Sequence, residues 1–84
     1  MVYVDPLREY GHAPHGHHFW CHMMADGEDE LHAMAERIGM SRHSFQGDHY
    51  DLSPGRRMLA VAEGAIEVSS RDLVRLRQSR RGKK

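Results

Sequence analysis

A chain of 84 residues with a hydrophobic fraction of 39% and one cysteine, Cys21, admits a single small domain and excludes an intrachain disulfide. The lone thiol and the lack of an apolar signal segment after Met1 point to a reducing, cytoplasmic setting, and no apolar run is long enough to span a membrane. Twelve basic and twelve acidic residues cancel, but seven of the basic ones lie after Ser70 against Asp72 alone, so an acidic body precedes a basic end.

Val2, Tyr3 and Val4 predict a first strand, stopped by Asp5-Pro6. From Leu7 to His18 the chain carries Gly11, Pro14, Gly16 and the histidines at 12, 15, 17 and 18, with no apolar periodicity, and reads as an exposed loop. Phe19 to Ala25 predicts a second strand, apolar on both faces, with Phe19, Cys21 and Met23 on one side and Trp20, His22 and Met24 on the other. His22 is then expected to be substantially buried.

Asp26 is the expected cap of a helix with Glu28, Asp29 and Glu30 in its first turn, where negative charge complements the macrodipole. Leu31, Met34, Ala35 and Ile38 form its core stripe, and Gly39 stops it. His32 lies off that stripe between Glu28 and Glu36, as part of a surface ion network or as a general base. After a loop from Ser41 to Gly47, His49 to Leu52 predicts a third strand, and Ser53-Pro54 opens a helix with Met58, Leu59, Val61 and Ala62 that ends at Gly64. Ala65 to Val68 predicts a fourth strand. Ser69 or Ser70 caps a last helix that docks through Leu73, Val74 and Leu76. The order ββαβαβα implies a small α/β domain over residues 1–77, with a mixed, largely parallel sheet flanked by helices and a basic disordered tail at 78–84. A core of that size is marginal, so a bound metal or a homo-oligomer would be a useful supplement.

Eight histidines stand at 12, 15, 17, 18, 22, 32, 43 and 49, and histidine both titrates near neutral pH and ligates transition metals. His49 and Asp51 are two apart in a strand and share a face, next to the start of the following helix. An imidazole nitrogen and a carboxylate oxygen suit Zn²⁺, Mn²⁺ or Fe²⁺, and strand ends in an open α/β sheet are where ligand crevices form. Asp5, ending another strand, is the expected third metal ligand and His22 the fourth, with Asp51 or His32 as base. A core-bonded His22 and a simple His49–Asp51 pair would explain the same residues structurally. Arg56 and Arg57, in the first turn of the helix that Ser53 caps, oppose its dipole and suggest a phosphate site, or else an ion pair with Asp48, Asp51 or Glu63. Cys21 and His22 point to opposite faces and so do not form a nucleophile and base pair. The histidines of the loop lack preorganisation, and Met23, Met24, Met34, Met40 and Met58 read as core filler.

Val4-Asp5-Pro6-Leu7, Trp20 to Asp26, Glu30-Leu31-His32-Ala33, His49 to Leu52 and Gly64 to Ser69 occur in order and together resemble the small bacterial and phage proteins grouped as domain of unknown function 4031. The likeness runs to about Leu73. It implies a free-standing, single-domain cytosolic protein and no established activity, with Asp5, His22, His32 and His49 inside the shared motifs and both the histidine loop and the basic tail outside them. The residues thus suggest a divalent-metal domain, hydrolase-like if it is an enzyme, that acts on or binds a nucleotide or nucleic acid. The alternative is a non-catalytic nucleic-acid-binding or adaptor module using the basic last helix and tail.

Overall fold

The computed structural model describes residues 1–9 and 18–82, with the side chains of 80–82 excepted. Five short strands, three α-helices and one 3₁₀ turn follow one another among the described residues: β1 (Val2–Val4), β2 (Arg8–Glu9), β3 (Phe19–Ala25), α1 (Glu28–Arg37), the turn Arg42–Ser44, β4 (Tyr50–Leu52), α2 (Pro54–Ala62), β5 (Ile66–Glu67) and α3 (Ser70–Gly82). The histidine loop expected from Leu7 to His18 falls at 10–17 outside the described residues. At its start, however, Arg8 and Glu9 pair with Trp20 and Phe19, which adds a strand too short to show a sequence period.

The sheet is a small mixed one. β3 lies at its centre, with β4 along one edge, and β1, continued by β2, along the other; β5 flanks β1. β1 and β5 are parallel, whereas all three ladders made by β3 are antiparallel. Four of the five strands therefore run one way, yet most of the pairing is antiparallel, because the single opposed strand sits in the middle.

Alternation along these strands separates two faces. Val2, Val4, Cys21, Met23, Ala25, Tyr50 and Leu52 point into one core, which α1 closes with Leu31, Met34, Ala35 and Ile38 and α2 with Ala60. The stripe foreseen for α1 is thus its buried face. Its cap differs: Gly27 holds the N-cap position, and the Glu30 carboxylate accepts the Gly27 N–H at 3.2 Å, while Asp26 accepts the Tyr3 hydroxyl. α2 buries only Ala60 and leaves Met58 and Leu59 exposed, so Met58 is not core filler.

The second face is covered by α3. Ser69 caps this helix through the Asp72 N–H at 3.0 Å, with Asp72 reaching back to the Ser69 N–H. Leu73 is buried, Val74 half exposed. Helical backbone runs on through Gly82, which extends it into the segment expected as a disordered tail. Two polar ties fasten α3 to the body, Arg8 to Ser70 Oγ at 3.0 Å and Arg77 to Asp48 at 2.6 Å. No helix among the described residues is long and apolar enough to cross a membrane.

Candidate metal centre

Asp5-Pro6 breaks the β1 ladder in a way that builds the site. Asp5 lies opposite His22 and donates its N–H to the His22 carbonyl at 3.2 Å, but the reciprocal bond is not backbone to backbone. The His22 N–H donates instead to Asp5 Oδ1 at 2.7 Å, and the Asp5 carbonyl turns away to accept Arg57 Nε at 2.9 Å. The carboxylate thus replaces a ladder carbonyl, and its second oxygen meets His22 Nδ1 at 2.9 Å. Asp5 is buried, and both of its carboxylate oxygens are engaged by His22, one by the backbone N–H and one by the ring.

The β3–β4 register places His22 directly opposite Asp51. Gly47, with φ of +88°, turns the chain ahead of β4 in a conformation that L side chains resist, and the next residue, Asp48, folds onto His49 Nδ1 at 2.7 Å. His49 Nε2 then points to Asp51 Oδ1 at 3.3 Å, and His22 Nε2 approaches the same oxygen at 3.9 Å. The two rings stand 5.2 Å apart, edge to face. Gln46 donates to the other Asp51 oxygen at 3.2 Å.

Three ligand atoms, from His22, His49 and Asp51, therefore lie within 4.8 Å of one another. Each of the three residues is held from behind by a separate partner: Asp5, Asp48 and Gln46. Metal-ligating histidines are held in this way, one ring nitrogen on a carboxylate that fixes tautomer and orientation and the other turned toward the remaining ligand atoms. A tetrahedral ion about 2.0–2.1 Å from each ligand needs ligand atoms about 3.3 Å apart. The His49–Asp51 pair already has that spacing, and His22 needs a small side-chain adjustment.

The electrostatics follow. The Asp51 bond raises the His49 pKa above its ordinary value against the opposing effect of burial, with Asp48 adding to the rise. His49 in turn lowers the Asp51 carboxyl, again against partial burial. Burial alone would raise the Asp48 carboxyl, but the His49 bond and the Arg77 charge outweigh it and bring it below the ordinary range.

Several expected site residues stand elsewhere. Asp5 is not at the point of convergence, because both of its oxygens are turned to His22. His22 is only half buried: its face of β3 opens on a cleft rather than a packed layer. His32 sits on the other face, buried beside Phe45, with Nδ1 on the Tyr50 hydroxyl at 2.7 Å and Nε2 on Glu28 at 3.2 Å. It cannot serve as a base for the centre, since the sheet separates them.

Arg56 and Arg57 do not converge on a phosphate at the start of α2. Arg57 is spent on the Asp5 carbonyl and on Glu67 at 2.9 Å, and Arg56 donates to the Gly39 carbonyl at 3.1 Å. They staple α2 to the sheet and to the end of α1, which explains why basic residues are tolerated against the helix dipole. The cations that do lie beside the centre are Arg8, Arg71 and Arg77. They line a cleft of about 300 Å³ between β3 and α3, together with His22 and His49. The sequence marks Arg71 and Arg77 as part of a basic end but not as neighbours of the centre, since only the docking of α3 brings them there; Asp48 adjoins His49 in the chain, and Gln46 carries no sequence signal. Cys21 lies in the core, and burial, reinforced by the Asp5 charge, pushes its thiol up to about 12.

Fold and cluster together describe a small α/β domain with two carboxylate-backed histidines facing a shared aspartate. The chain belongs to the family described as "Protein of unknown function (DUF4031)", which matches residues 2–80 of its 84. No curated protein and no solved structure matches the chain.

Proposed function

We propose that the domain binds one divalent transition-metal ion through His22 Nε2, His49 Nε2 and an Asp51 oxygen, and offers that ion to a phosphate-containing ligand. The observation that carries the reading is the double orientation: both histidines give their Nδ1 atoms to carboxylates, and both Nε2 atoms face Asp51. Two imidazoles and a carboxylate suit Zn²⁺, Mn²⁺ or Fe²⁺. Three protein ligands leave a position for water or substrate, the feature that separates reactive from purely structural ions. Hydrolase-like chemistry is the activity such a centre supports, with the ion supplying Lewis acidity.

The test is a competition titration with Zn²⁺ on protein carrying alanine at His12, His15, His17 and His18, which removes loose binding by the loop. One ion per chain is expected, and His22→Ala or His49→Ala should weaken binding about a hundredfold or more. Undiminished binding when His22 and His49 are both replaced by alanine would overturn the proposal.

A second reading, a nucleic-acid or adaptor surface on α3, draws support from Arg71 and Arg75, both exposed and without a hydrogen-bond or ion-pair partner among the described residues. It predicts binding that falls steeply with salt and is lost when Gln78 to Lys84 are removed. The single, unpaired Cys21 fits a reducing compartment, and we place the protein in the cytoplasm on that ground.

A further inference from the structure

The cleft beside the centre has walls of two kinds. Arg8, Arg71 and Arg77 bring three guanidinium groups, whereas Asp5 is the single carboxylate of the lining, and both of its oxygens are engaged by His22. Arg77 is tied to Asp48, and Arg8 uses one terminal nitrogen on Ser70. Arg71 has no hydrogen-bond or ion-pair partner among the described residues. Against this basic rim lies an apolar wall of Met24, Leu73 and Val74. Met24 and Leu73 are buried, but Val74, at the side of the cleft, is 52% exposed.

A bare inorganic anion would satisfy the rim and leave Val74 in water, and a neutral apolar ligand would do the reverse. A ligand with a charged end and an apolar body satisfies both. The volume of about 300 Å³ lies at the small end of small-molecule sites, which fits one nucleotide unit rather than a longer segment.

We infer that this cleft binds an organic phosphate of mononucleotide size, the phosphate held by Arg71 and Arg8 and the apolar body resting on Met24, Leu73 and Val74. The inference deepens the proposed function and rests on it only in setting the phosphate next to the ion. A free nucleotide and the phosphorylated end of a nucleic-acid strand present the same chemistry. Arg56 and Arg57 take no part, since neither lines the cleft and both donate elsewhere.

The inference is tested by following the backbone amide resonances of the full chain in chelator during titration with adenosine monophosphate, ribose 5-phosphate, adenosine and a 5′-phosphorylated trinucleotide. Saturable binding of the monophosphate is expected, about tenfold tighter than either ribose 5-phosphate or adenosine, with shifts centred on residues 70–77 and 22–24. Arg71→Gln, at an exposed position, should weaken it about tenfold, Val74→Asp should weaken it as well, and Arg56→Gln should leave it unchanged. A trinucleotide that binds as tightly as the monophosphate supports the inference with a strand end as the source; a weaker one supports it with the free nucleotide. No saturable binding, equal affinity for ribose 5-phosphate, or indifference to Arg71→Gln would overturn it. Because the titration is run without metal, nucleotide binding by a protein that takes up no ion would sink the metal reading alone, and ion uptake without nucleotide binding would sink this inference alone.

Discussion

The two faces of the sheet use histidine in opposite ways. Under α1 and α2, His32 has both ring nitrogens satisfied, by Tyr50 and Glu28, and no buried polar side-chain atom among the described residues lacks a partner. Under α3, His22 and His49 are bound from behind, and their front nitrogens converge on one carboxylate. A histidine paired on both sides and buried among core side chains specifies packing. Two histidines whose outer nitrogens face one shared carboxylate beside a cleft form a set that an ion can bridge.

That contrast separates stability from binding, and substitutions should break it selectively. The largest effect belongs to the packed face: Leu31→Ala removes a fully buried side chain and should cost about 2–5 kcal/mol in denaturant unfolding, with the metal stoichiometry of the folded fraction unchanged. On the other face, His49→Ala should reduce Zn²⁺ affinity about a hundredfold, equivalent to about 2.7 kcal/mol, while metal-free unfolding shifts much less. Tyr50→Phe strands His32 Nδ1 in the core and should destabilise by about 1–3 kcal/mol without altering metal affinity. Asp48→Asn keeps the ligands but loosens their support, so a loss of about tenfold in metal affinity is expected by the same titration.

The smallest effect at neutral pH concerns Cys21. Its thiol is raised from an ordinary value of 9.0 to about 12 by burial, so the folded state keeps it protonated. The associated stability is complete below pH 9 and is lost as pH rises toward 12. Alkylation at pH 8 should therefore be slow in the native protein and fast in denaturant. Rapid native labelling would show that the packed face is open.

How far the sequence discloses this contrast depends on the range of the interactions. β3 was legible with its bounds, because seven apolar or aromatic residues between a loop and a capped helix leave little choice. The stripe of α1 was legible for the same local reason. His49 and Asp51 were legible as a same-face pair because strand periodicity is local. The partnership of His22 with Asp51 was not, since it depends on β3–β4 register, nor was the retreat of Asp5 behind His22, which depends on a side chain replacing a ladder carbonyl. His32 keeps the Glu28 partner that its spacing predicts, but it is buried rather than on the surface, because it is covered by elements distant in sequence, Phe45 and Tyr50. Arg56 and Arg57 misled because the orphan amides of a helix start are visible in sequence, while the carbonyls that capture the two arginines are not.

The proposed centre holds one ion between two imidazoles that reach it through Nε2. X-ray absorption on Zn²⁺-loaded protein, with His12, His15, His17 and His18 replaced by alanine, tests this directly. Two imidazole nitrogens and carboxylate or water oxygen are expected at about 2.0–2.1 Å, with no sulfur, and the imidazole signal is expected to vanish when His22 and His49 are both replaced. A first shell with fewer than two imidazoles, or one unchanged in that double variant, would contradict it.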